Sequence, residues 1–201
     1  MRNSMHRSAF VIGFGMIAIS VLAFPVYADD PMTAQTFVTY RSDQPRLPVS
    51  FEYPADWSVE YSTGAVEAYA QVQIYGPKSL EKRLRTYLVV RAMPQQTQGG
   101  HYADVGEMID QYRKTLPPTL HIDQERQTTV LGEPTPLLEV SGSLLLPWNS
   151  QKAQPVPVRS ERIFFEKNDR LYELAWMATP EASSTLAAAF SHLLQTLVLL
   201  E

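Results

Sequence analysis

A histidine and two carboxylates spaced two apart along an extended chain can hold a divalent metal. His121, Asp123 and Glu125, in the stretch HIDQE, stand at that spacing. On a regular strand alternate side chains share a face, about 7 Å between successive members, so the three could take Zn²⁺ or Mn²⁺ with help from elsewhere. The competing reading is a solvated strand whose charges keep it soluble. His101, Asp104 and Glu107 fall at helical spacing around a helix start, where acidic residues answer the helix dipole without a metal. His192, between Phe190 and Leu193, reads as a surface or boundary residue. Arg159, Glu161 and Arg162 offer either an anion site or ordinary cross-strand charge pairs. Glu139, Glu161 and Glu173 lie on neighbouring strands. They could converge as the carboxylate pair of a hydrolase, which would need two carboxyls about 5–10 Å apart within a cleft.

The stronger catalytic patterns are missing. Past residue 28 there is no HExxH, no G-x-S-x-G and no phosphate-cradling glycine loop. The chain has no cysteine, which excludes thiolate metal sites, cysteine nucleophiles and disulfides. These observations favour a protein without catalysis and without a cofactor, a divalent metal at His121, Asp123 and Glu125 being the alternative. Leu144, Leu145, Leu146 and Trp148 stand at the mouth of the proline-punctuated stretch PWNSQKAQPVP (147–157). A stiffened loop carrying a tryptophan can anchor a protein or envelope partner. Otherwise Leu144 and Leu146 end a strand and Trp148 folds back over the sheet.

The elements that must position these residues follow an export leader. Arg2, His6 and Arg7 precede an apolar run, Ala9 to Phe24, and Val26-Tyr27-Ala28 places small residues where a signal peptidase reads. At roughly 16 residues the run falls short of the ~20 that span a bilayer. Cleavage after Ala28 would remove 28 of 201 residues and leave a single domain of 173, with no transmembrane span, in the periplasm or outside the cell. That domain keeps 15 basic and 21 acidic side chains, a formal charge of −6, unlike the clustered basic surface of a nucleic-acid binder.

Beyond the leader the apolar pattern has period two. Strands are expected at 37–40, 49–53, 57–61, 66–74, 84–90, 120–131, 135–146, 158–166 and 171–178. The stretch from Tyr102 to Leu116 has helical spacing and ends at Pro117-Pro118. A second helix should start at Thr179-Pro180-Glu181, with the threonine hydroxyl as cap. The expected fold is α+β, an antiparallel sheet of about six to eight strands flanked by helices. In FEYPADWSVE (51–60), Pro54 interrupts the alternation, so Phe51, Tyr53 and Trp57 read as packing around a corner between strands rather than as a pocket floor.

The order of elements, with Phe51-Glu52-Tyr53-Pro54-Ala55-Asp56-Trp57-Ser58-Val59, the helix ADVGEMIDQYRKTL and the hairpin RIFFEKNDRLYELAWMAT, resembles the PsbP-like fold family. That family comprises the extrinsic photosystem II subunit and related bacterial periplasmic proteins. The resemblance implies an α/β/α sandwich, and a binding, assembly or chaperone-type role without catalysis. It transfers structure and no functional residue. The leading expectation is therefore an exported, non-catalytic factor of the periplasm or cell envelope. A metal-binding or metal-delivery module and a carboxylate-dependent hydrolase are the alternatives.

Overall fold

The computed structural model describes residues 35–64, 69–78, 84–147 and 150–200, so the leader lies outside it. The described residues belong to one compact unit, Ala34–Glu201. The chain opens with strands β1 (Phe37–Arg41) and β2 (Val49–Pro54), the latter burying Val49 and Phe51. It then turns sharply, with the Trp57 N–H donating to the Pro54 carbonyl at 3.0 Å. Strand β3 (Ser58–Thr63) follows and joins a different sheet. The aromatic motif is thus a corner between two sheets, and Phe51 and Trp57 enter one core cluster, 1% and 6% exposed.

The remaining elements are β4 (Ala70–Lys78), β5 (Arg85–Pro94), α1 (Val105–Thr115), β6 (Leu120–Val130), β7 (Glu133–Leu146), β8 (Gln154–Lys167), β9 (Arg170–Ala178), α2 (Ser183–Thr196) and β10 (Val198–Leu199). Two antiparallel sheets result, one of three strands in the order β1-β2-β10 and one of seven in the order β3-β4-β5-β9-β8-β7-β6. Two-residue turns close the hairpins β6–β7 and β8–β9. Leu131 and Gly132 (φ 51° and 84°), and Asn168 and Asp169 (φ 52° and 56°), adopt the left-handed backbone that suits the twist of paired strands.

A helix covers each face of the large sheet. On α2, Leu186, Ala189, Phe190 and Leu193 recur at i, i+3, i+4 and i+7 and pack with Val72, Leu88, Leu174 and β2. Each large side chain so buried contributes about 1.5–3 kcal/mol. On the opposite face α1 buries Met108 and Ile109 against Leu138, Val140, Phe164 and Met177. Asp104 caps α1 by accepting from the Glu107 N–H at 2.9 Å, and the Glu107 carboxylate accepts from the Ala103 N–H at 2.7 Å. Capping therefore accounts for both acidic residues near His101.

The fold is α+β, with differences from the sequence expectation in detail. The strands divide between two sheets, because Pro54 ends β2 and the corner sends β3 elsewhere. A last strand, β10, is only two residues long and too short for periodicity to reveal. Residues 154–157 belong to β8 rather than to an irregular loop, since Pro155 and Pro157 lie opposite Leu145 and Ser143 on β7. Thr179 makes no side-chain cap: Pro180–Ala182 form a 3-10 turn before α2. The 66–74 strand is seen from Ala70, and its first residues lie outside the described set.

The exit of α1 depends on a close approach. Gly142 has φ 141°, and a Cβ there would lie 2.2 Å from the Thr119 carbonyl oxygen, which accepts from the Ser143 N–H at 3.0 Å. Gly142→Ala should therefore lower stability by about 2 kcal/mol. Chemical denaturation of the two proteins checks this.

Candidate functional site

The structure divides the HIDQE trio. A β-bulge between Ile122 and Gln124 leaves Asp123 without a partner in the ladder, and every later side chain of β6 changes face. His121 and Asp123 stay together: His121 Nε2 is 2.9 Å from Asp123 Oδ1, and the Ser141 hydroxyl donates to that oxygen at 3.0 Å. Glu125 lies on the α1 side, where Arg113 binds it. The expectation that all three share one face is thus corrected by the bulge. Among the described residues no group of three or more histidine, aspartate or glutamate side chains is placed to hold a metal ion.

The Ser141 side of the sheet forms one wall of an open groove of about 580 Å³, with Ser183 and Ser184 at the start of α2 opposite. Glu139 and Glu161 are direct cross-strand neighbours in this groove. Arg126 joins them, its Nε donating to Glu139 Oε1 at 2.6 Å and its Nη2 to Glu161 Oε1 at 3.3 Å. The Glu139 hydrogen bond pushes the arginine pKa above its usual value. Trp176 Nε1–H donates to Glu161 Oε2 at 3.0 Å. Two of the three glutamates weighed from the sequence therefore converge. Arg126 and Trp176 were not foreseen, because their participation depends on strand register. His192 sits apart, bound to Glu52 Oε2 at 2.7 Å and with its ring 3.8 Å from that of Phe37, joining α2 to the small sheet.

Glu173 is on the other face, beneath α1, and only 5% of its side chain is exposed. It holds two arginines. Arg91 Nη1 donates to Oε2 at 2.8 Å, and Arg162 Nη1 binds Oε1. Arg91 also donates through Nε to Gln71 Oε1 at 2.9 Å. The ring of Tyr112, from α1, covers the Arg162 guanidinium, 4.7 Å from its centroid. Burial works against the Arg162 charge, but the Glu173 carboxylate more than offsets this and raises its pKa. Burial also raises the Tyr112 pKa, against the pull of Arg162, so the phenol stays protonated. Arg159, Glu161 and Arg162 thus do not act together, since alternation sends Arg162 to the α1 side.

Of the partner-binding candidates, Leu144 and Leu146 are buried in the α1-side core, while Leu145 is 50% exposed. Trp148 lies outside the described residues.

No family model and no curated protein matches the sequence. Several solved structures are similar to it in arrangement. A cyanobacterial PsbP (CyanoP) from Synechocystis has a TM-score of 0.49 at 11% identity, covering 88% of this chain and 99% of its own. LpqN of Mycobacterium tuberculosis, described as involved in cell envelope biogenesis, has 0.47 at 12%, covering 84% and 92%. PA94 of Pseudomonas aeruginosa has 0.45 at 17%, covering 81% and 96%. The likeness is one of fold. The antiparallel sheet with a helix on each face is the arrangement that the sequence resemblance implies.

Removing the shared carboxylate has a clear energetic consequence. Glu173→Gln would leave two neighbouring guanidiniums without their counter-charge. A loss of about 3 kcal/mol is expected, near the lower end for breaking a buried pair because Arg91 keeps some solvent contact. Urea unfolding measures it.

Proposed function

We propose that this chain is an exported, non-catalytic binding or assembly factor of the cell envelope. The carrying observation is the way Glu139 and Glu161 are engaged. A carboxylate pair that hydrolyses a bond must give and take a proton and leave room for substrate between its members. Here one guanidinium takes an oxygen from each carboxylate, and the Trp176 N–H takes the second oxygen of Glu161. The groove consequently presents carboxylates held by hydrogen bonds, together with serine hydroxyls, a surface suited to holding a polar partner rather than to moving protons.

Export is supported by the leader pattern of residues 1–28, and no helix among the described residues is long and apolar enough to cross a membrane. Leu145 supplies an exposed apolar contact beside residues 147–153, so the 144–148 segment remains the proposed anchor for a protein or envelope partner.

The test combines processing, capture and turnover. Mass spectrometry of the exported protein should find a chain starting at Asp29. A photo-crosslinker at Leu145 should capture an envelope component in cells, whereas one at the exposed Lys114 of α1 should not. Wild type and Glu161→Gln should be equally inert towards ester, peptide and glycoside substrates. Turnover by the wild type that Glu161→Gln abolishes would overturn the non-catalytic reading.

A further inference from the structure

Between the last turn of α1 and the large sheet lies a second cavity, of about 290 Å³. Its walls are mainly apolar, including Leu116, Leu120, Leu144 and Met177, and Arg162 lines it together with Tyr112. Apolar walls with one charged group among them are the usual composition of a site for an amphiphilic small molecule.

Two observations give the charged group its meaning. Arg162 Nε is buried and has no hydrogen-bond partner among the described residues. A buried N–H left unpaired in this way carries its full desolvation cost. In addition, Arg91 and Arg162 share the single carboxylate of Glu173, so the trio keeps one positive charge with no counter-ion among the described residues. Tyr112, also at the cavity, is kept protonated by burial and adds no charge.

We propose that the cavity under α1 binds a monoanionic amphiphile, its carboxylate meeting Arg162 and its alkyl chain lying against Leu116, Leu120, Leu144 and Met177. One carboxylate supplies both the missing negative charge and an acceptor for a guanidinium N–H. A neutral alcohol would supply an acceptor without the charge, and an alkylammonium would add to the positive excess. The volume corresponds to roughly ten water-sized groups at about 30 Å³ each, which matches a medium-chain acid and is too small for a two-chain lipid. The cavity is on the opposite face from the groove, so this site stands whether or not the groove receives a partner.

Isothermal titration of the exported protein with octanoate, octanol and octylammonium tests the assignment. Octanoate should bind, octanol about tenfold more weakly or worse, and octylammonium not at all. Arg162→Met leaves Arg91 and Glu173 as a neutral pair, and should weaken octanoate about tenfold or more, the scale of a lost charge-assisted hydrogen bond. Leu116→Trp, which fills the cavity and leaves the ionic trio in place, should weaken octanoate and octanol alike. Equal affinity for octanoate and octanol, absence of octanoate binding, or an Arg162→Met protein that binds octanoate like the wild type would each overturn the proposal. If Arg162→Met fails to fold, the octanoate–octanol comparison on the wild type decides by itself.

Discussion

Strand β9 is covered on both faces, by α2 and the small sheet on one side and by α1 on the other. From Leu171 to Ala178 every residue is buried. Such a strand has to be apolar on both sides or hold its polar groups in fixed pairs. It does the first nearly throughout, and the second at Glu173. The carboxylate is tolerable only because Arg91 on β5 and Arg162 on β8, the two flanking strands, reach it from either side. Those arginines need cover in turn. Tyr69 lies over Arg91, its ring centroid 4.7 Å from the guanidinium carbon, as Tyr112 does over Arg162. Local order across the middle of the sheet, including the seat of α1, follows from this one buried charge.

The two faces therefore differ in kind. Beneath α2 the centre is aliphatic and aromatic, and a polar groove lined by Glu139, Glu161 and Ser184 opens where the helix begins. Beneath α1 a charged group sits in the middle, with aromatic rings packed on it. Ion pairs in the groove are partly exposed and contribute little to stability. The Glu173 trio is shielded from water, so its charges interact more strongly and cost more to disturb.

What could be read from the sequence was what depends on near neighbours in the chain. The apolar stripes of α1 and α2, the capping at Asp104, the Lys167–Arg170 turn and the corner at Pro54 all declare themselves within a few residues. Register does not. The bulge at Asp123 is a single extra residue with no compositional mark, yet it separated Glu125 from His121 and Asp123. Glu139, Glu161 and Glu173 look equivalent along the chain, and pairing alone decides that two line a groove while the third is buried opposite. Arg126 and Trp176 became part of the groove for the same reason. The stretch 147–157 was read as irregular because three prolines suggest a loop, whereas Pro155 and Pro157 occupy positions in β8 that the ladder accepts.

The bulge in β6 also bears on how the border of the sheet meets other chains. Among the described residues β6 is the outermost strand of the large sheet, with its free side unpaired and most of its residues exposed. A long flat border of that kind invites another chain to add a strand. The extra residue at Asp123 breaks the regular row of donors and acceptors, and Asp123, Glu125 and Arg126 place charge along it. Strand addition at this border is thereby disfavoured.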